Sequence, residues 1–358
     1  MSDLKRSPLD EVHRAAGGRM VPFAGWEMPV MYGSILDEHR AVRESVGQFD
    51  ISHMGQLFVE GKGAENWLNG LLTNDVAALE DGQGHYTFLL NEGGGVIDDL
   101  ILYRLTEQSY FLVVNAACLE ADLAWLEEQA QDDVTLRDAS ESMAGIAVQG
   151  PDSVDVFSRV FGGRTLPSRN GIDELTVDGQ SIWVCRTGYT GEDGFELFCP
   201  KGSAERWWED FAEAGAKPCG LGARDSLRLE KCYPLNGSDL TPERTPLEAG
   251  LGFFVKLEKG EFMGSEVLRE QKEQGLSHRL VAILCHEKGA PPRPGYPILS
   301  ESGEPLGTLT SGVLSPCLGL GIGMAYLPKE AAKVETEVFI EARGKKMSAK
   351  VVKKPFVA

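Results

Sequence analysis

A run of three glycines at residues 93–95 separates two apolar segments, HYTFLL and VIDDLILYRL. Glycine adopts the positive φ angles that tight turns require, so this arrangement predicts two antiparallel strands joined by a hairpin turn. The part of the chain around this turn is therefore expected to form antiparallel sheet.

Two aspartates, Asp98 and Asp99, follow the turn inside an otherwise apolar strand. Side chains alternate along a strand, so Asp98 shares one face with Val96 and Leu100, whereas Asp99 shares the other with Ile97. Both faces are apolar, and burying an ionised carboxylate costs several kcal/mol unless it has partners. Two hypotheses follow: the aspartates cap the turn, or one of them is kept for a ligand that bears N–H groups.

The rest of the chain divides into regions of different pattern. Its 358 residues exceed the usual size of a single core and predict two or three domains. Residues 54–138 alternate strands and helices in the order of an elaborated split β-α-β unit, and a second region of helices on antiparallel sheet follows. A charged segment at 256–278 then precedes short strands with turns, which predicts an all-β domain at the C-terminus.

Two helix starts can be predicted from their capping residues. Ser34 and Asp37 have the spacing of a capping box at the start of an amphipathic segment. Asn115 is placed to cap a helix whose apolar positions include Leu119 and Leu123.

Composition excludes several classes of function. The formal net charge of −19 opposes binding to nucleic acid, whose affinity for proteins comes largely from lysine and arginine. No apolar run is long enough to span a bilayer, and the first residues do not resemble a secretory signal. Seven cysteines are scattered without a C-x-x-C pair, which argues against a disulfide framework or a zinc site and predicts a cytoplasmic location.

Motifs of several common enzyme classes are absent from the sequence. It contains no phosphate-binding P-loop, no G-x-S-x-G and no H-E-x-x-H, and GLGARD does not satisfy the dinucleotide-binding pattern. The six histidines are dispersed, so we predict no metal.

A glutamate and an arginine form a second candidate site. Glu196 lies in the apolar strand FELFC and shares a face with Phe198, although an exposed strand face is the more common situation for glutamate. Arg224 lies near the start of the helical segment GARDSLRLEK, where a cation opposes the helix dipole, and Asp225 can pair with Arg228. A carboxylate and a guanidinium together could hold a planar, amide-like heterocycle.

Beyond these features the sequence resembles the glycine cleavage system T-protein, or aminomethyltransferase, family. The resemblance extends in order over nearly the whole chain, which makes it more specific than any single motif. The segments that carry it are MVPFAGWEMPV (20–30), FDISHMGQ (49–56), LLTNDV (71–76), NEGGGVIDDL (91–100), RTGYTGEDGFEL (186–197), GLGARDSLRLE (220–230), LTSGVLSP (309–316) and the terminal VVKKPF.

The resemblance implies an α+β fold arranged as a three-domain cloverleaf. Two mixed α/antiparallel-β domains and a C-terminal antiparallel β-barrel-like domain would surround a central folate cavity. Residues 1–270 would form the folate-binding region, with an inserted mixed domain at about 54–138, and residues 275–358 would form the barrel.

The family reaction transfers the methylene carbon of an aminomethyl group to tetrahydrofolate, the cosubstrate. It releases ammonia and forms 5,10-methylenetetrahydrofolate, and it implies neither NAD nor a metal. The aminomethyl group is carried on the lipoyl arm of a carrier protein, the H protein, which is therefore the implied partner; neither a nucleic acid nor a membrane is implied.

The resemblance also implies roles for individual residues. Asp99 matches the family's catalytic acid near the reactive folate nitrogens, which leaves Asp98 a structural role. A carboxylate in a dry cavity can accept a proton or orient an N–H group during nucleophilic attack. The implied folate-binding residues are Met54, Tyr86, Asp99, Asn115, Glu196, Arg224 and Tyr233.

The sequence departs from the family pattern at the folate-tail end of the expected cavity. It ends at KKPFVA, where relatives often extend further, and Phe253, Phe254 and Asn236 stand where other residues are common. Two other functions stay open: a tetrahydrofolate-dependent demethylase of a small methylated substrate, and a non-catalytic folate-binding module. The basic residues of 342–358 are either a solvated surface or a docking site for an acidic lipoyl carrier.

Overall fold

The computed structural model describes residues 4–358. In this part of the chain it contains 20 strands and eight α-helices. The chain divides into two compact units. The first comprises the residues up to Asn69 together with Asp75–Tyr86 and Leu100–Arg224, and the second comprises Gly70–Asn74, Thr87–Asp99 and Asp225–Ala358.

A small three-stranded sheet and a six-stranded sheet belong to the first unit. The small sheet has the order β1-β3-β2 and the larger one the order β11-β12-β13-β10-β4-β14. Their strands are β1 (Lys5–Arg6), β2 (Arg19–Phe23), β3 (Trp26–Met31), β4 (Gly47–Asp50), β10 (Met143–Gln149), β11 (Ile172–Val177), β12 (Gln180–Cys185), β13 (Gly194–Pro200) and β14 (Lys217–Pro218).

A five-stranded sheet contains the predicted glycine hairpin, in the order β6-β7-β8-β5-β9. Its strands are β5 (Gly55–Glu60), β6 (Gly84–Leu90), β7 (Val96–Thr106), β8 (Ser109–Val114) and β9 (Thr135–Asp138). The chain passes from one unit to the other within β6 and again within β7.

Eight helices accompany these sheets. They are α1 (Asp10–Ala15), α2 (Ile35–Glu44), α3 (Ala64–Leu71), α4 (Leu119–Glu128), α5 (Ser153–Val160), α6 (Ala204–Glu213), α7 (Leu221–Glu230) and α8 (Ser265–Gln274). None of the helices between residues 4 and 358 is both long and apolar enough to cross a bilayer.

The C-terminal strands of the second unit close into an antiparallel barrel, with the order β15-β18-β17-β16-β19-β20. They are β15 (His278–Cys285), β16 (Pro297–Leu299), β17 (Pro305–Leu314), β18 (Gly321–Pro328), β19 (Glu337–Ala342) and β20 (Lys345–Val352). The barrel interior is aliphatic and includes Ile283, Ile298, Leu327 and Ile340, all fully buried. The predicted α+β class and C-terminal barrel are thereby confirmed, whereas the predicted domain boundaries stay a prediction.

The main core of the first unit covers one face of the six-stranded sheet. Phe195 and Leu197 of β13 point into it and meet Trp207, Trp208 and Phe211 of α6. These three helix positions are spaced by one and three residues, which places them on one side of a helix. Each fully buried aromatic side chain of this kind contributes about 1.5–3 kcal/mol through removal of its surface from water.

The two predicted helix starts have different outcomes. Ser34 is the N-cap of α2, and its hydroxyl accepts a hydrogen bond from the Asp37 amide at 3.4 Å, as predicted. The prediction that Asn115 caps the next helix is wrong. Its carbonyl accepts from the Cys118 amide in a turn, so α4 begins three residues later with Cys118 as its N-cap and no side-chain cap.

A buried polar network ties the N-terminal segment of the first unit to β4. The His13 Nε2 and Asp50 Oδ2 atoms are 2.9 Å apart, and the Tyr32 hydroxyl is 2.8 Å from the other ring nitrogen of His13. The Ser7 hydroxyl also donates to Asp50 Oδ2, and the Ser52 amide donates to Oδ1 at 2.8 Å. Burial alone would raise the pKa of Asp50, but the bonds and charge supplied by His13, with Ser52 and Ser7, lower it.

We expect Asp50→Asn to lower the free energy of unfolding at neutral pH by about 3 kcal/mol, because it leaves a buried network with one partner missing. The folded-state pKa of Asp50 lies below its unfolded value of about 3.9. The stabilisation is therefore complete above about pH 4 and is lost as the pH falls through the folded-state pKa. Urea unfolding of both proteins across this range measures the effect.

The exposed residue Asp173 on β11 offers a matched control. Asp173→Asn should change the unfolding free energy by less than about 0.5 kcal/mol. If Asp50→Asn were as mild as this control, the network would not have the stabilising role assigned to it.

Candidate active site

Glu196 is a carboxylate buried in the middle of a sheet. It lies on β13, directly opposite Ala147 of β10 and Cys185 of β12, and only 7% of the residue is exposed. The exposed strand face that is usual for glutamate is therefore excluded. Phe198 shares its face and packs against Phe111 of β8, with ring centroids 5.3 Å apart.

A short chain of hydroxyl groups supports the Glu196 carboxylate. Thr187 donates its hydroxyl proton to Glu196 Oε2 at 2.6 Å, and the Thr187 and Tyr103 hydroxyl oxygens are 2.7 Å apart. Burial raises the pKa of Glu196, while the Thr187 hydrogen bond and the positive charge of Arg224 act in the opposite direction. Within residues 4–358, the Oε1 atom of Glu196 accepts no hydrogen bond and can accept one from a ligand.

Arg224 supplies the positive charge near Glu196. Its guanidinium lies over the Tyr189 ring at 4.8 Å from the centroid, which is the geometry of a cation–π contact. Burial lowers the pKa of Arg224, and the charges of Glu196 and Tyr189 oppose this shift. A guanidinium group is not deprotonated in proteins, so the side chain remains a cation at neutral pH.

Two glycines explain how the helix that carries Arg224 packs in the first unit. A Cβ atom on Gly220 would lie 2.4 Å from the Val30 carbonyl carbon, and one on Gly222 would lie 2.5 Å from the side chain of Ile35. The Gly220 amide also donates to Glu38 Oε2 at 2.8 Å. The GLG sequence therefore allows α7 to begin against β3 and α2, and this close packing fixes the direction in which Arg224 leaves the helix.

Three hydrogen bonds with two side chains, Gln149 and Arg43, hold the loop at residues 186–194, which carries Thr187 and Tyr189. Gln149 donates to the Thr187 carbonyl at 3.0 Å and accepts from the Thr190 hydroxyl at 2.9 Å. Arg43 donates to the Thr190 carbonyl at 2.7 Å. Gly188 is required where the loop crosses Gln149, because a Cβ atom there would lie 1.8 Å from Gln149 Oε1.

A neutral imidazole lies near the same arginine. His53 is 3% exposed and packs edge-on against Phe23, with ring centroids 5.5 Å apart. Burial and the positive charge of Arg224 lower the pKa of His53 to about 4, although Asp50 acts in the opposite direction. Its Nδ1 atom is buried without a hydrogen-bond partner in residues 4–358.

The two aspartates after the glycine turn lie in different environments. Asp98 belongs to the fully buried face of β7, whereas Asp99 belongs to the half-buried face, as the predicted alternation requires. The turn itself is capped by Asn91, whose side-chain oxygen accepts from the Gly95 amide at 2.9 Å. Asn91 is therefore a cap of this turn.

The start of β7 is anchored inside the second unit. The Val96 amide lies 3.1 Å from the Thr241 carbonyl and 3.0 Å from the Arg244 carbonyl, and it shares its proton between them. A Cβ atom on Gly95 would lie 1.8 Å from the Pro242 carbonyl oxygen, so only glycine fits there. Asn236 donates its side-chain amide to the Ile97 carbonyl at 3.3 Å. These contacts fix the backbone from which Asp99 projects.

The other predicted site residues lie on several elements. Met54 comes directly before β5 and next to His53, while Tyr86 lies on β6 and Asn115 follows β8. Met54, Tyr86 and Asn115 are all half-buried. Tyr233 is 38% exposed, and its amide donates to the Arg228 carbonyl at 2.9 Å. Glu196 and Arg224 are the predicted pair that the first unit brings together.

Three residues of this arrangement are absent from the sequence-based prediction of the site. Thr187 and Tyr189 lie in the RTGYTGEDGFEL segment and His53 lies in FDISHMGQ, two segments that carry the family resemblance but do not single out these residues. A threonine hydroxyl or a tyrosine ring in a glycine-rich loop carries no periodic signal. Only the folding of the loop over β13 brings Thr187 to Glu196.

The site in the first unit has the chemistry to hold a flat, amide-like ring. One buried carboxylate oxygen can accept an N–H proton, and the guanidinium of Arg224 can donate in the plane of a carbonyl group. Both groups are held in place by the Thr187 hydrogen bond and the Tyr189 ring contact, so little side-chain entropy is lost on binding.

Comparison with known proteins identifies the family of the chain. Residues 9–259 match the GCVT N-terminal domain family, and residues 278–358 match the glycine cleavage T-protein C-terminal barrel domain. The chain is similar to the aminomethyltransferases of Geobacillus kaustophilus (46% identity, covering 99% of this chain and 98% of the relative) and Bacillus subtilis (43%, covering 99% of both).

A solved structure shows the same likeness in three dimensions. The crystal structure of the glycine cleavage system aminomethyltransferase T from Bartonella henselae superposes with a TM-score of 0.93 at 38% identity, covering 99% of this chain and 98% of that one. The chain therefore belongs to the glycine cleavage T-protein family of aminomethyltransferases.

Proposed function

We propose that the chain transfers the methylene carbon of an aminomethyl group, carried on the lipoyl arm of the H protein, to tetrahydrofolate, with release of ammonia. The observation that carries this proposal is the buried Glu196 carboxylate, which keeps one oxygen available beside the guanidinium of Arg224. Family membership supports the reaction class, and this pair supports folate as the cosubstrate.

Glu196 and Arg224 bind the pterin ring in this proposal. The pterin ring presents N–H donors beside a carbonyl acceptor, which complements a carboxylate and a guanidinium held at fixed positions. Thr187 occupies Glu196 Oε2, which directs the remaining oxygen toward the ligand. Met54, Tyr86, Asn115 and Tyr233 line the rest of the folate site, and the neutral His53 beside Met54 adds no competing charge.

Asp99 is the catalytic residue in this proposal. Tetrahydrofolate supplies the nucleophilic nitrogens when it is bound, and the Asp99 carboxylate orients or accepts a proton as the methylene carbon is transferred. Asp98 on the buried face keeps β7 in place and touches no substrate. The anchored turn at 91–95 holds the Asp99 backbone, which is the preorganisation that electrostatic catalysis requires.

The remaining expectations extend the proposal. We infer a cytoplasmic enzyme, supported by seven cysteines that form no disulfide within residues 4–358, six of them buried. The division into a folate-binding region up to about residue 270 and a barrel from 275 onward also belongs to this proposal. Of the positions that depart from the family pattern, Phe253 is 78% exposed and Asn236 donates its side-chain amide to the Ile97 carbonyl.

The H protein docks, in this proposal, on the basic C-terminal segment. Lys345 and Lys346 of β20 are exposed, whereas Lys350 already pairs with Glu335 at 2.7 Å. The chain carries a net charge of −19, so an acidic carrier needs a local cluster of cations to approach productively.

We expect Asp99→Asn to reduce the rate of methylenetetrahydrofolate formation by about 100- to 10,000-fold, the usual contribution of a positioned acid or base. Folate affinity should change little, because the substitution preserves shape. Assays with an aminomethyl-loaded lipoyl carrier measure turnover, and a fluorescence titration measures binding.

Glu92→Gln, an exposed change in the same turn, is the control. Full turnover by Asp99→Asn would remove this residue from the mechanism, whereas folate binding without turnover by the unmodified chain would favour a demethylase or a non-catalytic folate module.

Glu196→Gln should weaken tetrahydrofolate binding by about tenfold or more, because a charge-assisted hydrogen bond is lost. Thr187→Val should also weaken binding, but its defect should become smaller as the pH rises. The Thr187 bond lowers the pKa of Glu196, so its removal leaves more of the carboxylate protonated at neutral pH, and higher pH restores the anion.

Folate titrations of both variants at several pH values test this expectation. Glu174→Gln, an exposed change on β11, should bind folate as well as the unmodified chain. A Glu196→Gln variant with unchanged affinity would place the pterin ring elsewhere.

Reversing the charge of Lys345 and Lys346 together should raise the KM for the lipoyl carrier several-fold at low salt, because long-range attraction is lost. The difference should shrink at high salt, where screening removes the same attraction from the unmodified chain. Arg164→Glu, an exposed reversal in the first unit, is the control. An unchanged KM at low salt would mean that the carrier docks elsewhere.

A further inference from the structure

The second unit contains a cavity of about 570 Å³ beside the barrel. Strand β20 ends at Val352, opposite Ala282, so the first half of β15 has no β20 neighbour. The segment around Glu248 partly fills the position beside β15 that β20 leaves open, because the Leu280 amide donates to the Glu248 carbonyl at 2.8 Å. Residues of this segment, of the end of α8 and of the barrel edge line the cavity.

The walls of this cavity carry more positive than negative charge. Lys272, Arg279, Lys353 and Lys354 line it, and Glu248 is the only acid among its lining residues. The Glu248 carboxylate is already occupied, since it accepts from Arg244 at 2.8 Å and from the Thr245 amide at 3.1 Å. The cavity thus presents cations on a chain whose net charge is −19.

The four cations differ in whether protein groups form ion pairs or hydrogen bonds with them. Lys272 lies 3.7 Å from Glu258. Arg279 and Lys353 are exposed and have no ion pair or side-chain hydrogen bond in residues 4–358. Lys354 is half-buried, and the one hydrogen bond that its ammonium makes within residues 4–358 is to the Ala249 carbonyl, at 3.4 Å. Burial lowers the pKa of Lys354, with Cys232 and Asp239 acting in the opposite direction, and an anion in the cavity would offset the cost of burying this charge.

The rest of the lining is aliphatic. Leu247, Leu276 and Val352 are half-buried, and Val334 is 55% exposed, which is unusual for valine. A cavity of this volume falls in the range of small-molecule sites, in which a mostly apolar wall is combined with a few polar groups that orient the ligand. The lining therefore suits a ligand with an apolar body and an anionic head.

We propose that this cavity binds a small amphipathic anion, with a carboxylate or phosphate head held by Arg279, Lys353 and Lys354 and a short aliphatic body packed against Val334 and Leu276. A planar guanidinium can bind such a head through two parallel hydrogen bonds, and the lysines add charge. None of the residues that line this cavity is among those proposed to bind folate or to catalyse the reaction, so the cavity would give the barrel a binding role of its own.

Isothermal titration of the full-length chain with octanoate tests this proposal. Octanoate should bind saturably, whereas octanol, which lacks the anion, and inorganic phosphate, which lacks the body, should each bind at least about tenfold more weakly. Absence of saturable octanoate binding, or equal binding of octanol or phosphate, would overturn the proposal.

Variants locate the binding site. Arg279→Glu and Lys353→Glu should each weaken octanoate binding by about tenfold, and Val334→Ser should weaken it roughly threefold. Lys345→Glu reverses an exposed cation outside the cavity and should leave binding unchanged. Octanoate binding that is insensitive to all three cavity variants would show that the ligand binds elsewhere, and the proposal would be wrong even if the enzyme is active.

Discussion

The buried ion pair between Arg228 and Asp239 is the interaction on which the second unit depends most. Its charged atoms are 2.9 Å apart, and both side chains are almost completely excluded from solvent. Removing one partner of such a pair typically costs about 3–5 kcal/mol, because the other charge stays buried without compensation. Ser311 of the barrel accepts from Arg228 and donates to Asp239, which joins the end of α7 to the barrel wall.

This ion pair also determines where the proposed catalytic aspartate lies. Asp239 accepts from the Leu235 amide at 2.9 Å, which closes the segment that leads to residues 241–244. That segment provides the two carbonyls that hold the Val96 amide and the carbonyl that excludes any side chain at residue 95. Asp99 lies three residues beyond Val96 on β7, so these contacts also fix the backbone that carries its side chain. The preorganisation of Asp99 is therefore a product of contacts made at other residues.

The first unit positions charge by a different physical means. Glu196, Arg224 and His53 are removed from water, and burial opposes the charged form of each group. Glu196 and Arg224 compensate one another, Thr187 adds a hydrogen bond, and His53 responds by staying neutral. In a low-dielectric site such fixed groups act on a ligand more strongly than they would in water. The arrangement costs stability in the free protein, and a complementary ligand restores part of it.

The sequence by itself determined the local features, namely the glycine hairpin, the Ser34 cap, the opposite faces of Asp98 and Asp99, the closely spaced barrel strands and the candidate pair Glu196 and Arg224. These follow from turn chemistry and side-chain periodicity, which depend on neighbours a few residues away. Tertiary structure alone decided that Glu196 is buried, that Thr187 and Tyr189 support the site, that Asn115 caps no helix and that Asp239 meets Arg228. Such contacts join residues distant in sequence, whose proximity follows from the packing of whole elements and leaves no periodic signal in the chain.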